Sequence, residues 1–249
     1  MRSFALLIAA FAVAAPAAAR AQAPPLRAKL TACQSGADAG DRTATFTGSM
    51  PAIKGTRRMW MRFDLLQRIP PSEDFAQIKV PGLGVWQKSS RGRKSGFVFD
   101  QRVQALAAPG AYKAAVGFRW YGKGGRLLRS AKRETATCTQ PDPRPNLRAG
   151  DLDAARGPQP DQATYALEVR NDGRTAAGPF DVGLDVAGAA QPLQRVATGL
   201  AVGATQTVTF VAPLCQPGST LRFTLDASGE VAESVESDDA VERLCPFTG

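Results

Sequence analysis

The 249-residue chain contains no histidine. That absence removes Ser-His-Asp and Cys-His nucleophilic arrangements, imidazole general bases and histidine metal sites. Cysteine occurs only four times and never as Cys-x-x-Cys, so neither a structural zinc site nor thioredoxin-type chemistry is expected. No Gly-x-Ser-x-Gly elbow occurs either. Gly117 to Lys123 matches Gly-x-x-x-x-Gly-Lys, but Gly124 stands where a phosphate loop needs Ser or Thr, and the stretch alternates like a strand. Paired carboxylates or a Ser-Lys dyad are the remaining routes to hydrolysis, and carboxylates are sparse in the first half of the chain. These lacks argue against an enzyme, and no cofactor is expected.

Apolar runs of membrane length are also lacking. Met1-Arg2 is followed by an apolar run from Phe4 to Ala15 and by small residues at Ala19-Arg20-Ala21. This has the charge, length and cleavage pattern of a secretory signal peptide over residues 1–21, too short to span a bilayer as a mature helix. Cleavage after Ala21 is preferred to cleavage after Ala23, which would leave Pro24 at the new terminus. Leu30-Thr31-Ala32-Cys33 fits a lipobox, but Pro24, Pro25, Arg27 and Lys29 separate it from the apolar run, and acylation would leave an unpaired thiol. The reading is therefore a secreted protein of the periplasm or cell surface, with no transmembrane segment in the mature chain and no cytoplasmic nucleic acid as partner.

What the chain does have is period-two alternation. Met59, Met61, Phe63 and Leu65 alternate with Trp60, Arg62 and Asp64, and Tyr112, Ala114, Val116, Phe118 and Trp120 with Lys113, Ala115, Gly117 and Arg119. The same period returns at Ala163, Tyr165, Leu167 and Val169, at Phe180, Val182, Leu184 and Val186, and at Leu221, Phe223 and Leu225. Each set marks a strand with one face on a core. Turn residues at 171–173, 177–179 and 216–218 supply the backbone freedom that tight connections need. The fold class expected is all-β, with two immunoglobulin-like antiparallel β-sandwich domains in tandem. Residues 24–140 form the first and 147–249 the second. Residues 141–146, with alternate prolines, form an extended linker. Tyr112, just after Pro109-Gly110, sits where a sandwich tyrosine bonds back to the preceding turn.

Charge divides along the same boundary. Residues 24–146 hold 22 Lys and Arg against 8 Asp and Glu, a balance of +14, whereas residues 147–249 hold 7 against 14, a balance of −7. Basic residues cluster at Arg57 and Arg58, at Lys88 with Arg91, Arg93 and Lys94, and from Lys123 to Arg133. Such a surface attracts polyanions through salt-screened contacts. Arg57, Arg58, Arg91, Arg93 and Lys94 are the candidate polyanion-binding residues. Trp60, Trp86, Trp120 and Tyr121 lie among them, Trp120 on the core-facing side of its strand and Trp60 on the opposite one.

The last hundred residues carry a family resemblance. Val169-Arg170-Asn171-Asp172-Gly173, continuing to Ala177-Gly178-Pro179-Phe180, then Pro217-Gly218, and Val231-Ala232-Glu233-Ser234-Val235-Glu236-Ser237-Asp238-Asp239 occur in order. They resemble three signatures of the CARDB domain, a bacterial immunoglobulin-like sandwich associated with cell-surface adhesion. Asp238 and Asp239 stand where that family has two Asn. The resemblance implies a sandwich and an extracytoplasmic setting, and leaves the ligand open. Glu233, Glu236, Asp238 and Asp239 offer oxygen donors that calcium accepts, although without an EF-hand pattern; a turn-capping role is the competing expectation.

Four cysteines behind an export signal imply two disulfides with three possible connectivities. Pairing within halves, Cys33 with Cys138 and Cys215 with Cys245, is the economical choice. The functional expectation is non-catalytic binding at the bacterial envelope or surface. An anionic envelope polymer, a lipid surface or another envelope protein is the expected partner, and a purely structural spacer or assembly subunit is the alternative.

Overall fold

Alternating apolar positions become paired strands throughout the computed structural model, which describes residues 23–247. The leader and its cleavage site lie outside the described residues. The first half forms β1 (Arg27–Gln34), β2 (Thr43–Met50), β3 (Arg58–Arg68), β4 (Ala76–Ile78), β5 (Gln87–Lys88), β6 (Phe97–Val103), β7 (Gly110–Tyr121), β8 (Leu127–Glu134) and β9 (Cys138–Gln140). The second half forms β10 (Leu147–Arg156), β11 (Gln162–Asn171), β12 (Phe180–Val186), β13 (Ala189–Ala190), β14 (Gln194–Val196), β15 (Thr205–Pro213), β16 (Thr220–Thr224) and β17 (Ala240–Leu244).

Four antiparallel sheets result, two in each half. β1-β2-β6 faces β4-β3-β7-β8, to which β5 and β9 add beside β3 and β7; β10-β11-β15 faces β13-β12-β16-β17, with β14 beside β12. The first core joins Phe46 and Met50 of β2 to Met59, Met61, Phe63 and Leu65 of β3 and to Val116, Phe118 and Trp120 of β7. The second joins Tyr165, Leu167 and Val169 of β11 and Phe210 of β15 to Phe180, Val182, Leu184, Leu221 and Phe223 from the other sheet. Each of these side chains is essentially closed to solvent and contributes on the order of 1.5–3 kcal/mol by leaving water. Every core-facing position read from the alternation is buried, so both halves are β-sandwiches.

A tyrosine locks one corner of each sandwich. Tyr112 Oη donates to the Ala107 carbonyl at 2.9 Å and accepts from Gln67 at 2.8 Å, as its place after Pro109-Gly110 implies. Tyr165 does the same in the second half, donating to the Pro213 carbonyl and accepting the Cys215 amide, both at 2.9 Å. Alternation alone marks Tyr165 as a core position and does not reveal this second lock. The cysteines pair as expected, Cys33 with Cys138 and Cys215 with Cys245. Each bond joins the two sheets of one half. Cys33 lies in β1 and Cys138 in β9, while Cys215 and Cys245 follow β15 and β17.

The proline segment differs from the expected linker. Gln140 still belongs to the first sandwich: it pairs with Gly110 and its amide donates to the Gln34 carbonyl at 3.0 Å. Arg144 and Pro145 already belong to the second, their carbonyls accepting the amides of Arg174 and Ser234. Asn146 is buried there too. Of residues 141–146 only Pro141-Asp142-Pro143 connect the sandwiches. Alternate prolines report an extended chain but not which carbonyls find donors, and that placed the boundary too late.

The Asn171-Asp172-Gly173 turn is built around a buried side chain. Asn171 is fully buried. Its Oδ1 accepts the amides of Gly173 and Asn146, and its Nδ2 donates to the carbonyls of Thr175 and Leu200. A Cβ on Gly173 would lie 2.4 Å from the Pro145 backbone, so the turn can lie against the incoming segment only as glycine.

Candidate functional site

β3 and β7 are neighbours, and their register sets Arg58 opposite Tyr121, Trp60 opposite Arg119 and Arg62 opposite Gly117. The core takes the intervening residues. Hence Arg58, Trp60, Arg62, Arg119 and Tyr121 share the outer face of the sheet. The segment after β4 folds over this face. Ser89 anchors it, its amide donating to the Met59 carbonyl and its hydroxyl accepting the Met59 amide. Gly92 donates to the Arg57 carbonyl at 2.9 Å, and Arg58 Nε to the Ser89 carbonyl at 3.2 Å.

An open cleft of about 790 Å³ results, lined by Arg57, Arg58, Trp60, Arg91, Tyr121, Lys123 and the glycines at 92, 122, 124 and 125. Among the described residues no carboxylate lines it. Tyr121 and Trp60 pack with ring centres 4.6 Å apart, and the Lys88 ammonium lies 4.6 Å from the Trp60 ring centre. The Trp60 indole nitrogen is buried and, among the described residues, has no hydrogen-bond partner. Gly124 and Gly125 both adopt positive φ, which lets the hairpin from Tyr121 to Arg126 turn tightly, with glycines at 122, 124 and 125 between its larger side chains.

The five basic candidates therefore separate. Arg57, Arg58 and Arg91 come together in the cleft, joined by Lys123. Arg93 and Lys94 are exposed and do not line it. Among the described residues, none of Arg57, Arg58, Arg91 and Lys123 forms an ion pair with a carboxylate, whereas Arg62 is held by Asp64 at 2.9 Å. Alternation already sets Trp60 on the outward face, but that Tyr121 lies beside it follows only from the pairing of β3 with β7.

The acidic closing turn of the second half has a capping role. Glu233 is buried, and its carboxyl accepts the Leu147 amide. Glu236 accepts the Glu233 amide at 2.7 Å, and Asp238 accepts from the Asn146 side chain at 3.3 Å and faces Arg148 at 3.5 Å. Burial, reinforced by Asp239, Glu236 and Asp226, pushes the Glu233 carboxyl up to about 8 against the pull of the Leu147 amide. Asp239 rises to about 6, again chiefly through burial and then through Glu236, Asp238 and Asp226. Among the described residues no three His, Cys, Asp or Glu side chains are grouped to hold a metal ion, and no helix is long and apolar enough to cross a membrane.

Residues 144–243 match the CARDB family model. No curated protein matches the chain. Among solved structures, the chain is similar to a CARDB domain from Pyrococcus furiosus in complex with di-metal ions, at 19% identity over 40% of this chain and 90% of that one, with a TM-score of 0.34. It is also similar to the class 5 fimbriae chaperone CfaA, at 12% identity over 88% of this chain and 98% of that one, with a TM-score of 0.29. The chicken CNTN1 FN1–FN3 domains share 13% identity over 90% of this chain and 68% of that one, with a TM-score of 0.21.

Proposed function

Since residues 144–243 match the CARDB family, we propose that this chain is a non-catalytic binding protein of the bacterial envelope or cell surface, and that its first sandwich holds an anionic polymer or lipid. The carrying observation is the cleft: four cations without carboxylate partners, beside two aromatic rings, on a framework of fixed strands. Arg and Lys in that number repel one another, and an incoming anion relieves the repulsion. The export-type leader and the two disulfides support an oxidising setting outside the cytoplasm.

The test is retention on an anionic matrix. Arg57→Glu with Arg91→Glu should lower affinity roughly tenfold or more at low salt. Arg93→Glu with Lys94→Glu, equal in charge but outside the cleft, should cost clearly less. Raising ionic strength should erase the difference, because exposed charges are screened within about 8 Å at physiological salt. Equal retention of both double variants and the parent would reject the cleft and favour the spacer or assembly reading.

A further inference from the structure

A second cleft of about 400 Å³ lies on the same sheet face, lined by residues that include Arg62, Asp64, Trp86, Arg119, Ser130 and Lys132. The two clefts meet at a shared aromatic ridge, for Trp60 of the first lies 6.3 Å, centre to centre, from Trp86 of the second. Trp86 comes down onto the sheet above Gly117, where a Cβ would stand 3.4 Å from the indole. Its ring carries two guanidinium groups, Arg119 at 4.3 Å and Arg62 at 5.3 Å from the ring centre.

The rings hold cations in place. A guanidinium stacked on an aromatic face keeps its edge N–H groups free for anions while its rotamers are already restricted, which lowers the ordering cost of binding. Arg91, Arg57, Arg58 and Lys123 lie at one end, Lys88 over the ridge, and Arg62, Arg119 and Lys132 at the other. Asp64 is the one carboxylate along the two clefts, and it is committed to Arg62. From Tyr121 at the first cleft to Gly117 at the second is four strand residues, about 14 Å. No single phosphate, sulfate or carboxylate group bridges that distance.

We propose that the two clefts form one track for a linear anionic polymer, with charges on successive units engaging both ends. This rests on the anion-binding reading of the first cleft and narrows it to a chain rather than a lipid headgroup. Two concave sites joined by a ridge suit an extended strand; a bilayer surface meets them only at their rims.

Linear polyphosphate of graded length, with orthophosphate as the single-anion probe, tests the track on the full-length protein by calorimetry at low salt. Affinity per chain should rise steeply once the chain spans both clefts, because the second contact becomes intramolecular. Lys132→Glu should weaken long chains at least fivefold and remove the steep rise of affinity with chain length; Arg91→Glu should weaken long chains and orthophosphate alike. A Lys132→Glu variant that binds long chains as the parent does, while Arg91→Glu does not, overturns the track and leaves the single-cleft function standing. Vesicles of equal parts phosphatidylglycerol and phosphatidylcholine that bind more tightly than long polyphosphate at matched anion concentration overturn the polymer in favour of lipid. Binding to none of these probes overturns both readings.

Discussion

Glu233 is buried with only the Leu147 amide to satisfy one carboxyl oxygen, the other oxygen being left without a partner. Its carboxyl stands near 8 instead of the ordinary 4.5, so the folded state holds this proton more tightly than the unfolded chain. The associated stability is complete below about 4.5 and is lost as pH rises through about 8. Asp239, raised to about 6, acts in the same direction over a lower window. The second sandwich should therefore melt at a lower temperature at pH 8.5 than at pH 5. Glu233→Gln keeps an acceptor for the Leu147 amide and removes the titration, so its melting temperature should vary less across that range and exceed the parent's at the alkaline end. A variant whose pH profile parallels the parent's would place the dependence elsewhere. Chain order foretold that Glu233 lies in a turn. Its burial follows from Leu147, 86 residues away, closing over it, and no local pattern encodes that approach.

At the level of strands, what was legible follows from period two. Met59 to Leu65 and Tyr112 to Trp120 announce their core faces because alternation is local, and Tyr112 announces its corner because its partner, Ala107, is five residues back. The clefts were only half legible. Arg91, Arg93 and Lys94 look alike in the sequence, and only the Gly92 amide bonding to Arg57 brings Arg91 to the rim while its neighbours project away. Gly117 read as a strand position on the outer face, yet it lies beneath a tryptophan 31 residues earlier, a contact between distant segments. The connecting segment shows the same limit: Pro145 and Asn146 are fixed by Ser234 and Asn171. Limited proteolysis should therefore cut within Pro141-Asp142-Pro143 or not at all, with no cleavage from Arg144 to Ala149, where backbone groups are tied into the second sandwich. Early cleavage at Arg144 or Arg148 would show that this segment is released from the sandwich in solution.

Across the whole molecule, the two sandwiches differ in charge sign and also in how much chain each disulfide encloses. Cys33 and Cys138 are 105 residues apart and bracket nearly all of the first sandwich, whereas Cys215 and Cys245 are 30 apart and bracket only the end of the second. In the chain-entropy account the longer loop contributes about 4.7 kcal/mol and the shorter about 3.5. For a chain under tension, the asymmetry has a mechanical meaning. Tension entering near residue 23 and leaving near residue 247 passes from Cys33 to Cys138 through the sulfur bridge, so strands β2 to β8 carry none of it. The second sandwich has no such bypass between residues 144 and 215. Pulled from its ends in a single-molecule force experiment, the oxidised protein should lengthen in one main step as that stretch unravels, releasing on the order of 240 Å of chain. Reduction should add a second, longer step from the first sandwich. Two long steps before any reduction would mean that the 33–138 bridge does not bear load. The enclosed half is the half with the clefts, so a pulled molecule would extend on its acidic side while the proposed binding surface stays folded.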